Sequence, residues 1–192
     1  SLTGMKFGPQ GLHIGALTTL SELQNNAQVN EMYPALIQAI VSTATPQIRN
    51  IGTLGGNLCQ RPRCWYYRSS LFDCKKKGGS TCFAINGNHK YHAVLGSGEC
   101  IIVHPSDSAV ALISYSAHAN IDGPTGPRRI ALEEFFAGPS RNIMAENVLA
   151  PGEILTGVDL PNTTSNQRSI YLKVRERQTE DFALASVALV LE

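Results

Sequence analysis

Long apolar runs are missing from this 192-residue chain, and so is any excess of charge of one sign. No stretch approaches the ~18 consecutive apolar residues of a membrane helix, and no basic segment followed by an apolar one marks an export signal. That points to the cytoplasm, or to the periplasm if the chain is exported together with a partner. The formal net charge of +1 gives no support to a nucleic-acid or membrane-surface role, which a strong basic excess would announce. Small molecules or other subunits are the expected partners. Internal repeats and low-complexity segments are absent, as is any Ser-His-Asp or paired-carboxylate arrangement suited to proton-transfer catalysis. His13, His89, His92 and His118 read as surface or internally satisfied side chains rather than catalytic bases. Close Cys-x2-4-Cys pairs typical of structural zinc are lacking apart from Cys59 and Cys64, and five cysteines are an odd number for an all-paired secreted framework.

What is there is an ordinary globular composition, 43% hydrophobic and 16% charged, enough for one good core or two small ones. Gly11-Leu12-His13-Ile14-Gly15-Ala16-Leu17 reads as a short strand, and Thr19-Leu20-Ser21-Glu22 has the Thr-x-x-Glu spacing of a helix capping box. A second helix is expected from Pro34, with Leu36, Ile37, Ile40 and Val41 as its core-facing stripe, running out before Pro46. Another is expected over residues 106–115, with Ala109, Val110, Leu112 and Ile113 inward and Ser106 or Asp107 near its N-terminus. The turn-rich Asp122-Gly123-Pro124-Thr125-Gly126-Pro127 should join two short strands. Ile154, Thr156, Val158 and Leu160 alternate as in a half-buried strand, Ile170, Leu172 and Val174 do so again, and residues 182–191 form an apolar, strand-like tail. The architecture is therefore mixed α+β, with helices early and strands late. The uncovered tail is expected of a piece of something larger.

Two stretches point to chemistry. Ile51-Gly52-Thr53-Leu54-Gly55-Gly56-Asn57 holds three glycines within five residues, which would let the backbone press its N–H groups onto a phosphate, although a tight turn would have the same spacing. All five cysteines then fall between positions 59 and 100, among Arg61, Arg63, Arg68, Lys75, Lys76 and Lys77. Any one free cysteine is a small hydrophobe, and Cys59 beside Leu58 fits a core. The set does not, because its neighbours are charged residues and turn glycines. Three readings stay open: an iron-sulfur cluster wrapped by a long loop, with the basic residues offsetting its charge; zinc; or thiols without a metal.

The run Thr45-Pro46-Gln47-Ile48-Arg49-Asn50-Ile51-Gly52-Thr53-Leu54-Gly55-Gly56-Asn57-Leu58 closely resembles the flavin-binding subunit, or domain, of the xanthine dehydrogenase and carbon monoxide dehydrogenase family of molybdenum hydroxylases. Ile14-Gly15-Ala16-Leu17-Thr18-Thr19, Pro151-Gly152-Glu153-Ile154-Leu155, Leu160-Pro161 and Tyr171-Leu172-Lys173-Val174-Arg175-Glu176-Arg177 extend the likeness over nearly the whole chain. The resemblance implies FAD lying between two α+β subdomains. Residues 1–168 would be the second, residues 169–192 would begin the C-terminal flavoprotein domain, and the family's first Gly-rich flavin loop would lie outside this sequence. It further implies that Thr53, Leu54, Gly55, Gly56 and Asn57 face the pyrophosphate and ribityl region, and that Asp107 accepts from ribityl or ribose hydroxyls. Thr45 and Gln47 would sit near the flavin, Leu155 would be an apolar or backbone contact to the ring, and Lys173 a polar contact to the cofactor.

The family's Ser-Asp pair arrives only at His104-Pro105-Ser106-Asp107, so residues 60–103 read as an insertion. This is similar to the aldehyde oxidoreductase type, the closer likeness, and to 4-hydroxybenzoyl-CoA reductase, whose insertions carry an extra 4Fe-4S cluster. Cys64, Cys74, Cys82 and Cys100 would then be the ligands and Cys59 a buried bystander. The implied partners are a molybdenum-cofactor large subunit, a 2Fe-2S small subunit and the remaining part of the flavoprotein subunit. The implied activity is electron transfer through FAD to an external acceptor, in aldehyde oxidation. The competing reading is a non-catalytic zinc-binding or subunit-docking module.

Overall fold

The computed structural model describes residues 2–96, 98–178 and 180–192. In chain order its elements are β1 (Met5–Gly8), β2 (Gly11–Gly15), α1 (Leu20–Gln24), α2 (Ala27–Met32), α3 (Pro34–Val41), α4 (Pro46–Ile51), α5 (Leu54–Leu58), α6 (Trp65–Arg68), a 3-10 turn (Lys75–Lys77), α7 (Asp107–Ser114), β3 (His118–Asp122), β4 (Arg128–Ala131), α8 (Leu132–Phe135), β5 (Ile154–Leu160), β6 (Arg168–Val174) and β7 (Ala185–Leu191). They gather into two compact units. One comprises Ser1–Leu58, Ser106–Glu133 and Leu149–Glu192, the other Cys59–Pro105 and Glu134–Val148.

The first unit is built on an antiparallel sheet of order β1-β2-β5-β3-β4. Leu12 and Ile14 of β2 are buried while His13 between them is half-buried, the alternation that a one-sided core requires. β5 departs from the expected alternation. Its register against β3 steps from Asn120↔Gly157 to Ile121↔Leu155, which leaves Thr156 as an extra, bulged residue. One inserted residue reverses the facing on its far side, so Leu155 is buried and Ile154 exposed, while Val158 and Leu160 are buried as expected. The turn over residues 123–127 joins β3 to β4, with Gly126 at a φ of 97°, in the left-handed region that favours glycine.

Helix starts follow local chemistry. The Thr19 hydroxyl accepts from the Glu22 N–H at 3.1 Å and the Glu22 carboxylate accepts from the Thr19 N–H at 2.7 Å, the reciprocal capping box of α1. α3 begins at Pro34 and buries Leu36, Ile37 and Ile40, each contributing ~1.5–3 kcal/mol. Val41, expected on the same stripe, is the last residue of that helix and is 48% exposed. Pro46 proves to be a start rather than a stop, since α3 has already ended at Val41: Thr45 caps α4 by accepting from the Ile48 N–H at 3.3 Å, and Pro46 sits where its missing N–H costs nothing. In α7 the Ser106 hydroxyl accepts from the Ala109 N–H at 3.0 Å.

β6 and β7 pair antiparallel in a separate two-stranded sheet that packs on α3 and α7. The apolar face of β6, expected to be its buried side, is the exposed one: Ile170, Leu172 and Val174 stand out at 41%, 53% and 62%. Tyr171 and Lys173 turn inward instead, because their polar tips have buried partners there and the apolar residues do not.

Candidate functional site

The glycine-rich stretch is helical rather than an open loop, lying across the end of α4 and the start of α5. None of Gly52, Gly55 and Gly56 adopts a positive φ, so the conformational freedom expected of them goes unused. What they supply is closeness. A Cβ on Gly55 would come within 2.9 Å of the Ala16 carbonyl oxygen, and one on Gly52 within 2.9 Å of the Ile48 carbonyl oxygen. The backbone amides are engaged within the unit: Leu54 N–H donates to the Thr18 carbonyl at 2.9 Å, Gly55 N–H to Ala16 at 2.8 Å and Gly52 N–H to Ile48 at 2.7 Å. Gly56 N–H donates to Thr53 Oγ1 at 3.1 Å. The expected set of N–H groups pressed onto a phosphate is thus replaced by amides that dock α5 against the end of β2. A five-residue helix, with few bonds of its own, needs that docking.

The surface left to a ligand here is polar and uncharged. Gln47 and Gly56 are exposed, Thr45, Thr53 and Asn57 are half-buried, and Leu54 and Leu155 belong to the core. Behind this surface lies Arg49, which the sequence did not single out. It is buried, donating Nε to Gln24 Oε1 at 2.9 Å and Nη1 to the carbonyls of Val41, Thr43 and Ala44. A basic residue in the last turn of a short helix was the available signal.

Asp107 and Lys173, assigned separately toward a cofactor, are brought together. Asp107 Oδ2 accepts from Lys173 Nζ at 2.7 Å and from Thr43 Oγ1 at 3.2 Å, and Oδ1 accepts from the Tyr171 hydroxyl at 2.7 Å. Both side chains are nearly sealed, at 7% and 4% exposure, and Lys173 also donates to the Ser42 carbonyl at 3.1 Å. Burial pushes the Tyr171 phenol up, Ser186 pulls it back and Asp107 adds to the rise. A cofactor hydroxyl reaching Asp107 would share the carboxylate with three resident donors. The Ser106 hydroxyl donates to Asn57 Oδ1 at 2.5 Å, tying α7 to α5.

The second unit holds the cysteines. A bridge between Cys74 and Thr81, with Lys75 N–H donating to the Thr81 carbonyl at 3.0 Å, sets Cys74 beside the strand of chain that leads to Cys82. Gly79 makes the loop possible, since a Cβ there would lie 2.0 Å from the Asp73 carbonyl oxygen. Phe72 and Phe83 pack on Tyr66 with ring centroids 5.0 and 6.2 Å away. Cys64, Cys74, Cys82 and Cys100 consequently line one narrow cavity of only about 10 Å³, whose wall includes Lys76 and His92.

Cys59 is not on that wall. It is half-buried rather than buried, and burial alone pushes its thiol up to about 11. Cys64 is pushed up by burial first, then pulled back by the amides of Tyr67 and Tyr66 in the first turn of α6, although no capping hydrogen bond to its sulfur forms. Cys74 and Cys82 raise it again. Cys100 is pushed up by burial, drawn down by the Ile102 amide, raised by Cys82 and Cys64 and lowered by Lys76. The thiols therefore sense one another, as Cys59 does not. Lys76, with its side chain 1% exposed, pairs with Glu146 at 2.6 Å, and Arg61 meets the same carboxylate at 2.9 Å.

His92 departs from the sequence reading. Both of its ring nitrogens are buried and neither has a hydrogen-bond partner. Burial lowers its pKa, the His89 backbone acts against this, and the His89 ring adds to the lowering. Among the described residues, no three His, Cys, Asp or Glu side chains are arranged to hold a metal ion. Four cysteine thiols are the donor number that either a structural zinc ion or a 4Fe-4S cluster takes.

A helix-and-sheet frame with a polar shelf, and a separate thiol-lined cavity, is the build of a cofactor-holding domain. Residues 1–163 match the family described as FAD binding domain in molybdopterin dehydrogenase, and the chain belongs to that family. It is 40% identical over 185 residues to the aldehyde oxidoreductase FAD-binding subunit PaoB of Escherichia coli (strain K12), covering 95% of this chain and 58% of that protein. It is 25% identical over 191 residues to the carbon monoxide dehydrogenase medium chain of Hydrogenophaga pseudoflava, covering 99% and 50%. A chain of the cyanide-inactivated Cu,Mo-CO dehydrogenase has the same fold, with a TM-score of 0.70 at 22% identity, covering 100% of this chain and 50% of that one. This chain spans about half the length of the curated relatives it matches.

Proposed function

We propose that the chain is the FAD-holding part of the flavoprotein component of a molybdenum hydroxylase, of the aldehyde-oxidising kind, and that it also carries a 4Fe-4S cluster. In this reading residues 1–168 are the FAD-binding subdomain, residues 60–103 its cluster-bearing insertion, and residues 169–192 the start of a C-terminal flavoprotein domain. The partners are a molybdenum-cofactor large subunit, a 2Fe-2S small subunit and the rest of the flavoprotein subunit. When bound, FAD and the cluster supply the electron-carrying chemistry between the molybdenum centre and an external acceptor.

The chain's own residues bind and orient. Gln47, Thr45, Thr53, Gly56 and Asn57 would present uncharged hydrogen-bonding groups to FAD, with Leu54, Gly55 and Leu155 shaping the backbone beneath them. The Asp107–Lys173 pair would fix α7 and β6 behind the sugar hydroxyls. Cys64, Cys74, Cys82 and Cys100 would hold the cluster. Burial raises the Cys64 and Cys100 thiols, and the amides near both, with Lys76 at Cys100, act against that rise.

The observation that carries the cofactor reading is the convergence of four cysteines, dispersed in sequence, on one cavity that excludes the fifth. Visible absorption with iron, zinc and flavin analysis of the assembled enzyme tests it. Flavin bands on a broad iron-sulfur absorbance are expected, and a colourless, zinc-containing protein would overturn the reading. Replacing Cys64, Cys74, Cys82 or Cys100 with serine should cost cluster iron, and Cys59→Ser should keep it. Iron loss at Cys59 with retention at Cys100 would reverse the ligand assignment.

A further inference from the structure

We propose that His92 donates a ring N–H to a sulfur of the group held by the four cysteines, acting as a positioning residue that raises the group's reduction potential. The inference rests on the cluster reading. Its own observation is the pair of buried, unpartnered ring nitrogens in the wall of the thiol cavity. A buried polar group left unpaired is destabilising, so ring nitrogens buried in this position imply an acceptor that belongs there.

The ring is held rather than loose. It packs T-shaped on Trp65 with ring centroids 5.4 Å apart, and Trp65 is in turn fixed by its indole N–H donating to the Asn88 carbonyl at 3.1 Å. On the backbone, His92 N–H donates to the His89 carbonyl at 3.0 Å, and Ala93 N–H donates to the Ile101 carbonyl at 2.9 Å, next to Cys100. Four cysteines already supply a full ligand set for a 4Fe-4S cluster, so His92 is surplus as a ligand and suited as a donor. Anionic cysteinate and sulfide sulfurs accept such a bond. It favours the reduced, more negative state, and hydrogen bonds to sulfur are one of the protein's levers on cluster potential.

The test uses the assembled enzyme carrying His92→Phe, which keeps a flat ring without N–H, and His92→Gln, which restores a donor. Iron per complex and the cluster midpoint, followed by electron paramagnetic resonance during redox titration, are the readouts. Both variants should retain iron. The His92→Phe midpoint should fall by about tenfold in the reduced-to-oxidised ratio, ~59 mV for one electron, and His92→Gln should recover most of that. If His92→Phe does not assemble, His92→Met takes its place with the same expectation. An unchanged midpoint with iron retained would overturn the proposal, as would loss of iron from every variant. Absence of iron from the unsubstituted enzyme would remove the cluster reading itself, before any variant is compared.

Discussion

Asp107 shows how far in sequence a side chain's strongest partner can lie. Its ion-pair partner Lys173 lies 66 residues away, on a strand whose apolar residues pointed to the other face as the buried one. Removing one member of a buried pair leaves an uncompensated charge, so Lys173→Met should cost about 3–5 kcal/mol, read as a lowered urea midpoint. Glu153 gives a pH-dependent case. The Arg128 guanidinium, bonded at 2.7 Å through both Nε and Nη2, is the first cause that holds its carboxyl at about 2, below its ordinary 4.5, with the Ala150 amide helping. A depressed folded pKa stabilises above the unfolded value and is lost as protons bind. The stability advantage of the native protein over Glu153→Gln should therefore be complete above pH 4.5 and vanish as pH falls toward 2, in paired urea titrations. The cysteines were legible because they are few and clustered. His92 was not, since orphaned nitrogens are a property of packing that no spacing reveals.

At the scale of elements, the start of α4 and the bulge in β5 escaped the sequence for different reasons. Thr45-Pro46 reads as a stop but marks a start, since α3 has already ended at Val41 and Ala44, at a φ of 50°, separates the two helices. The Thr156 bulge has no compositional mark, and only pairing with β3 exposes the step. The strand alternation was therefore correct beyond Thr156 and reversed at Ile154 and Leu155. The docking of α5 yields a prediction. Gly55→Ala would drive a Cβ against the Ala16 carbonyl oxygen and Cβ, neither of which is a flexible tip that can swing aside. A cost of about 1–3 kcal/mol is expected, with weakened FAD retention. Gly56→Ala meets only Thr53 Oγ1, at 3.1 Å, and should stay within about 0.5 kcal/mol. Thermal unfolding and flavin content of the two variants, measured side by side, would separate closeness from conformational freedom as the reason for these glycines.

For the whole molecule, the five-stranded sheet and its helices were foreseeable as a mixed fold, but the orientation of the two-stranded sheet was not, because burial of Tyr171 and Lys173 overrides the apolar pattern. The exposed row of Ile170, Leu172 and Val174, with Val187, Leu189 and Leu191 beside it, makes a contiguous apolar face. Leu172→Thr combined with Leu189→Thr should reduce self-association of this 192-residue chain in light scattering and leave its unfolding midpoint nearly unchanged. The bond from Ser106 to Asn57 has a consequence for how such a chain can vary. It joins side chains 49 residues apart, so the intervening polypeptide leaves the frame and returns to it at one doorway. Closing a loop costs only ~0.6 kcal/mol more for each doubling of its length, so the segment between those two side chains can lengthen or shrink at little entropic cost to the frame that they close.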